Sequence, residues 1–342
     1  MLAYELRAAQ LSDEDQLFAV AKHLNTVNLP HDREAIRRIL ALSEKSFLGE
    51  VPENRREYVF VLSDVEDSKV IGTSMIISQL GRRGAPYIYF DVLEEEKYSE
   101  TLDKHFQHTV LRIGYSYQGP TEIGGLILDP SYRRVPERLG QFLSYVRFLY
   151  IAAHRAEFRP QVLAELLPPL GDDGTSHLWE ALGRHFTGMS YSEADVLSKR
   201  NKEFIKQLFP DGFIYASLLS SEAQDVIGKV GAQTKGVEKM LRRVGFRYAH
   251  RVDPFDGGPH FLADTDEISL VRRTRRQEVK AIAARGTHPT RGLVAVESKA
   301  PPFFRCVLGG VGAWQGGASI GQEVAEHLGV QVGDEIVALE LE

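Results

Sequence analysis

Two hydrophobic periods alternate along the chain. Tyr4–Leu6 reads as a short strand, and Ser12-Asp-Glu-Asp15 opens an amphipathic helix whose first turn is acidic, as the helix dipole favours. A second helix is expected from about His31 to Ser43, after Asn28-Leu29-Pro30. Tyr58-Val-Phe-Val-Leu-Ser63 and Val70-Ile-Gly-Thr-Ser-Met-Ile-Ile77 are β-rich runs, and the short polar stretch Asp64–Lys69 between them suits a hairpin. Residues 87–118 hold aromatic clusters but little periodicity, so an insertion of irregular strands is expected there.

The most informative stretch is the apolar strand Glu122-Ile-Gly-Gly-Leu-Ile-Leu-Asp-Pro130, stopped by its Asp-Pro end. A basic loop, Tyr132-Arg-Arg-Val-Pro-Glu-Arg-Leu-Gly140, leads into an apolar helix over 141–153, expected to be core. A strand at 161–167 and a helix centred on Leu178–Gly183 follow. The phrase Leu178–Phe186 is loosely echoed by Met240–Tyr248, which admits an internal duplication, although glycine after a helix is ordinarily a left-handed cap. After Thr274-Arg-Arg276 the composition turns to Gly and Val. The division expected is residues 1–265 as one α/β domain with a mixed sheet and 266–342 as a small β-rich module.

Composition narrows the class. Of 342 residues, 43% are hydrophobic and 26% charged, as in a globular protein. The net charge of −6 argues against a nucleic-acid binder, so the cluster Arg272-Arg-Thr-Arg-Arg276 reads as a solvated face or a subunit contact. No apolar run is long enough to cross a membrane, and the polar, acidic start is unlike a signal peptide. The single Cys306 permits no internal disulfide. His105 and His108, three apart, could share a helix face, but no third ligand accompanies them and no metal site is expected. These features together predict a cytoplasmic protein.

Strand, basic glycine-containing loop and helix make an anion site, because the first helical amides are unpaired and the dipole is positive there. Arg133, Arg134 and Arg138 lie in the loop, and Gly140 is expected just before the helix. The pyrophosphate of coenzyme A or a nucleotide would suit it. A solvated Arg-rich loop fits the spacing equally well. Neither GxxxxGK[ST] nor GxGxxG occurs, which disfavours a P-loop or a standard dinucleotide fold.

The order of elements resembles the GNAT superfamily of acyl-CoA N-acyltransferases and, within it, the arginine N-succinyltransferase family, including arginine/ornithine succinyltransferase subunits. Colinear phrases carry the resemblance through most of the chain. Among them are Tyr58-Val-Phe-Val-Leu62, Leu126-Ile-Leu-Asp-Pro-Ser-Tyr-Arg133, Leu143-Ser-Tyr-Val-Arg-Phe-Leu149 and Trp179-Glu-Ala-Leu-Gly-Arg-His-Phe186. Others are Glu222-Ala-Gln-Asp-Val-Ile-Gly228, Phe255-Asp-Gly-Gly-Pro259 and Leu328-Gly-Val-Gln-Val-Gly-Asp334.

The resemblance implies transfer of a succinyl group from succinyl-CoA, a co-substrate, to the α-amine of arginine or ornithine, with no permanently bound cofactor. It implies that the acyl-CoA lies in a splay between two central strands, with its thioester carbonyl at Leu126, Ile127 and Leu128 and its pyrophosphate at the Arg133–Gly140 loop. It also implies a homodimer or a heteromer with a homologous subunit. For the guanidinium of the acceptor, Glu122, Glu165, Asp195 and Asp256 are the candidate carboxylates, each within a matching phrase. Glu122 and Glu165 stand on adjacent expected central strands, where a buried carboxylate could serve as base for the amine, Glu122 being the foremost candidate. Asp256, in Asp-Gly-Gly-Pro, is equally a turn-former.

Two departures from the family pattern stand out. The phosphate loop usually reads Arg-x-Gly-Gly-x-Gly. Here it is two residues longer and keeps only the last glycine, so side-chain charge would replace a backbone cradle. The family's proton-donating histidine, in Ile-Gly-x-Val-His-Pro-x-Thr, corresponds to Gly231 in Ile227-Gly-Lys-Val-Gly-Ala-Gln-Thr234. His260 is the candidate replacement, with Tyr191 and His185 behind it. The alternatives are that the histidine is dispensable, that the chain is a non-catalytic or regulatory partner subunit, or that it acylates a different amine.

Overall fold

The computed structural model describes residues 2–22, 29–82, 85–171, 173–198, 201–287 and 290–341. The chain begins with β1 (Tyr4–Ala8), α1 (Glu14–Ala21), α2 (Arg33–Phe47), β2 (Glu57–Asp64) and β3 (Lys69–Ile77). Next come β4 (Tyr87–Ser99), β5 (Lys104–Ser116), β6 (Thr121–Leu128), α3 (Leu139–Ala153) and β7 (Gln161–Glu165). A helical stretch follows with α4 (Arg184–Thr187), α5 (Tyr191–Ser198), α6 (Glu203–Leu208), β8 (Ile214–Tyr215), α7 (Ser221–Val226) and α8 (Lys235–Val244). Then come β9 (Arg247–Val252), β10 (Pro259–Asp264) and α9 (Ser269–Arg273). The end comprises β11 (Arg275–Ala283), β12 (Arg291–Glu297), β13 (Phe304–Trp314), β14 (Gly317–Gly321), α10 (Gln322–Leu328) and β15 (Glu335–Glu340). The expected mixed α/β class and β-rich C-terminal segment are both found. Among the described residues no helix is long and apolar enough to cross a membrane.

The chain forms two compact units. The first combines Met1–Gln79, Thr121–Pro160 and Thr265–Glu342, so the C-terminal β-rich residues lie within it. Its strands run β12-β15-β11-β14-β13-β1-β2-β3-β6. The 3.6-residue spacing of Ile36 and Leu40 on α2 and of Leu17 on α1 buries these side chains against Val59, Val61, Met75 and Ile127 of the sheet. The helix expected from about His31 to Ser43 is α2, which Asp32 caps, its carboxylate accepting from the Ala35 amide at 2.7 Å, and which runs on to Phe47. Asn28, in the phrase preceding that helix, lies outside the described residues. At the far end β12 also pairs with β13, which closes β12, β15, β11, β14 and β13 into a ring. Val279, Val294, Val307 and Ile320 cluster there with Val324 of α10.

The second unit comprises Leu80–Pro120 and Gln161–Asp264, with strand order β7-β10-β9-β4-β5-β8. Its core gathers Phe90, Trp179, Phe209 and Phe255, with the Trp179 and Phe255 rings stacked at 5.1 Å.

Three expectations change here. Residues 87–118 are not irregular: β4 and β5 form a regular ribbon with thirteen consecutive register pairs, from Tyr87↔Ser116 to Ser99↔Lys104. Most of the outer half of that ribbon is exposed on both faces, so no buried face imposes alternation on the sequence. His105 and His108 consequently stand on a strand rather than on a helix face. Gly183 is not a left-handed cap but sits at φ −60° inside the helical stretch, with the Trp179 ring where a β-carbon would go. Gly245, its counterpart in the echo, does cap α8, at φ +117°.

Candidate functional site

In the first unit the candidate residues lie on β6 and the segment after it. Pairing with β3 is one-to-one from Ile77↔Glu122 to Met75↔Gly124, and again at Thr73↔Ile127 and Gly72↔Leu128. Between these, Ser74 on β3 faces both Gly125 and Leu126, which is a β-bulge. Gly125 supports it at φ +55°, and a β-carbon there would lie 2.8 Å from the Met75 sulfur. A bulge takes backbone groups out of the regular ladder and aims them elsewhere. Leu126 is half-buried just past it, whereas Ile127 and Leu128 are buried. Glu122 sits at the start of the same strand and is buried.

Beyond β6 the chain turns on Asp129. Its carboxylate accepts from the Ser131 amide at 3.0 Å and hydroxyl at 2.6 Å and pairs with Lys69 at 3.3 Å. Those hydrogen bonds from Ser131, then Lys69, hold its pKa down at about 2. Arg133 turns back so that its Nε donates to the Leu128 carbonyl at 3.1 Å, capping the strand end. Arg134 and Arg138 are exposed. Arg138 begins α3 from a left-handed conformation, φ +57°, with its carbonyl accepting from Gln141 and Phe142. Gly140 is therefore the second helical residue and not the residue before the helix. A β-carbon there would come no closer than 3.8 Å to the chain, so its backbone is open to close approach.

Arg147 lies on α3, the apolar helix that the sequence predicts to be core. Its guanidinium is buried and donates to the Ser144 carbonyl at 3.1 Å, the Ser144 hydroxyl at 2.7 Å and the Gly124 carbonyl at 3.4 Å. Burial lowers its pKa to about 9. Its last contact pins the strand residue just before the bulge. The signal in the sequence was a lone charge amid apolar residues.

The second unit gathers the remaining candidates. Glu165 ends β7 and pairs in register with His260 on β10. His260 is fully buried, its Nδ1 is 2.8 Å from the Tyr87 hydroxyl, and its Nε2 is 3.4 Å from a Glu165 oxygen. Burial first, then the charges of Arg251 and Lys202, push its pKa down to about 3. Burial raises the Tyr87 hydroxyl as well, so both rings are neutral at pH 7.

Asp256 is a turn-former in the structure. Its Oδ1 accepts from the Gly258 amide at 2.7 Å, and Asp253 receives the Phe255 amide at 2.6 Å in the same loop. Both carboxyls are raised by burial, and Asp256 is raised further by Asp253 beside it. Asp195 is half-buried on α5, the helix that Ser190 and Glu193 start. Burial, followed by the charges of Asp256, Asp195 and Asp253, raises the Tyr191 hydroxyl. Asp253 was missed in the sequence, although it stands three residues before Asp256; its partnership with His260 comes from the fold.

Gly231 is tightly enclosed. Its amide donates to the Leu167 carbonyl at 2.8 Å, and a β-carbon would lie 2.7 Å from the Pro168 carbonyl oxygen and 2.9 Å from that of Leu167. His185, behind His260 as a candidate replacement, is exposed on α4.

Comparison with known proteins converges on one family. Residues 4–270 match the family described as arginine N-succinyltransferase beta subunit, and residues 275–340 match its C-terminal domain. An arginine N-succinyltransferase from Shigella dysenteriae serotype 1 (strain Sd197) is 34% identical over 307 residues, covering 89% of this chain and 88% of that protein. The Escherichia coli (strain K12 / DH10B) enzyme of the same name gives the same identity and coverage. Arginine/ornithine succinyltransferase subunit AI from Pseudomonas aeruginosa has a TM-score of 0.82 and 26% identity, covering 99% of this chain and 98% of that one. With its matches spanning nearly the whole sequence, this chain belongs to the arginine N-succinyltransferase family.

Proposed function

We propose that the chain transfers a succinyl group from succinyl-CoA to the α-amine of arginine, with ornithine as the nearest alternative acceptor. The observation that carries this reading is the bulge at Gly125–Leu126 followed by an arginine-bearing loop and a helix start, in a chain of this family. A thioester needs no metal for aminolysis. The amine nitrogen forms a bond to the acyl carbon, the carbon–sulfur bond breaks, and the CoA thiolate leaves. Backbone donors at the bulge would stabilise the negative charge that develops on the carbonyl oxygen. Leu126, Ile127 and Leu128 lay the acyl-CoA along the strand, and Arg134, Arg138 and the open backbone at Gly140 meet its phosphates. Arg133 shares its charge with the strand end it caps.

Glu122 is the residue we assign to take the proton of the amine, since a buried carboxylate is a stronger base than an exposed one. His260 is less suited to this role. With a pKa near 3 it is a weak base at neutral pH. For the guanidinium we assign Asp195, half-buried on α5, in preference to Asp256, which is occupied by its turn and pushed towards the protonated form. Glu165 stands against His260, its carboxylate oxygen 3.4 Å from Nε2.

The tight enclosure of Gly231 supports a second reading, a partner subunit that binds ligands and turns over little within a homodimer or a heteromer with a homologous chain. One experiment decides between them. Purified chain is given succinyl-CoA with arginine, then ornithine, and thiol release and product mass are followed. Succinylarginine formation that falls at least tenfold in Glu122→Gln supports transfer. Succinyl-CoA binding without turnover supports the partner role.

A further inference from the structure

Glu165, Asp253 and His260 come together in the second unit, each offering a ligand atom, and these atoms lie within 4.8 Å of one another. The histidine is the telling member. It is fully buried, and among the described residues its Nε2 has no hydrogen-bond partner. A buried polar atom left unpaired costs about 1–3 kcal/mol and calls for an explanation.

Its surroundings narrow that explanation. When Tyr87 accepts a proton from Nδ1, Nε2 presents a lone pair toward a carboxylate oxygen 3.4 Å away. Two acceptors facing each other repel unless a cation stands between them. The separation also fits one: with metal–ligand distances of about 2.0–2.2 Å, neighbouring ligands in a tetrahedral site are roughly 3.3–3.6 Å apart. Tyr87 on the far ring nitrogen is the kind of outer partner that fixes the tautomer of a ligating histidine.

We propose that Glu165, Asp253 and His260 form a binding site for a borderline divalent cation of the zinc class. The two strand ligands are held rigidly, because His260 and Glu165 are register partners on β10 and β7. Asp253, from the loop after β9, supplies the third, its carboxylate also receiving backbone amides of the turn at Phe255 and Asp256. Three protein ligands leave a fourth position for water or a ligand. Lys202 places a positive charge that acts on both His260 and Asp253, and a bound metal cation would be repelled by it.

The test uses the full chain after chelator treatment. Zinc chloride is titrated calorimetrically, bound metal is counted by mass spectrometry, and cobalt is substituted to read coordination from its visible spectrum. One equivalent is expected, with a tetrahedral cobalt spectrum. Glu165→Gln and His260→Gln each weaken binding more than tenfold, Tyr87→Phe weakens it by about 10- to 100-fold, and Lys202→Met tightens it. Glu165→Gln lies at an exposed strand end, so it reads the site even if His260→Gln folds poorly. No saturable uptake, or equal uptake in Glu165→Gln and His260→Gln, overturns the proposal. So does a site that takes no zinc but loses arginine binding in the same variants, a result that would leave the transfer reading intact.

Discussion

Restoring the family histidine by Gly231→His is the most direct challenge to the structural argument. The new β-carbon would stand 2.7 Å from the Pro168 carbonyl oxygen, 2.9 Å from that of Leu167 and 3.0 Å from the Pro168 carbonyl carbon. All three are backbone atoms just beyond β7, so no side-chain rotation relieves them. Relief requires the loop to retreat by several tenths of an ångström and to stretch the 2.8 Å bond from the Gly231 amide to Leu167. Overpacking of this kind costs about 1–3 kcal/mol, and a weakened backbone hydrogen bond adds about 0.5–1.5 kcal/mol. The expected destabilisation is therefore about 2–4 kcal/mol. Chemical denaturation measures it, and thiol release with arginine measures the activity. Turnover should stay at or below the parent level, because a displaced loop does not deliver an imidazole to the reaction. A Gly231→His protein as stable as the parent and at least tenfold faster would refute the reasoning, since the enclosure would then be soft and the missing histidine the only defect.

Other consequences are open to measurement. Gly125→Ala forces a side chain into a left-handed conformation and against Met75, at a cost of about 1–2 kcal/mol from the backbone alone; if the bulge serves the carbonyl, kcat drops more than KM changes. Arg138→Gly relieves the φ +57° strain and removes one charge; denaturation should show a protein at least as stable, while the KM for succinyl-CoA rises several-fold. Arg147→Met leaves the Gly124 carbonyl without its guanidinium donor, and amide exchange along β6 should quicken even if overall stability holds. His154, bonded to Glu157 and Glu297, has its pKa raised to about 9, its hydrogen bonds outweighing a desolvation effect of opposite sign. Its folded pKa lies above the unfolded value, so its stabilisation is complete below about pH 6.5 and is lost as pH rises through 9. Denaturation midpoints across that window should fall in the parent and flatten in Glu297→Gln.

Legibility differed by residue. The β2–β3 hairpin, the Asp-Pro end of β6 and the helix after the basic loop were readable because local chemistry dictates them: β-branched runs, a turn former, an apolar helical stripe. The ribbon of β4 and β5 was misread because pairing between strands, not burial of one face, holds it. Glu122 and Glu165 could be placed on strands, but which residues share a neighbourhood with His260 depended on the register of β7 with β10. The roles of Asp253 and Arg147 were hidden for the same reason. Each takes its meaning from a partner that tertiary folding supplies.

The ring at the C-terminal end has a consequence for proteolysis and truncation. β13 pairs with β12 over Phe304–Gly310, and through Arg305 and Cys306 it also pairs with β1. One strand thus belongs to both the ring and the open sheet. Cutting the chain near residue 274 would leave β1 paired with β2 alone and expose the unpaired amides and carbonyls of its other edge beside a buried core. Such an edge invites a second chain to complete it. The shortened protein should therefore precipitate or pair edge to edge rather than persist as a tidy N-terminal fragment, so the last seventy residues also act as a guard against self-association.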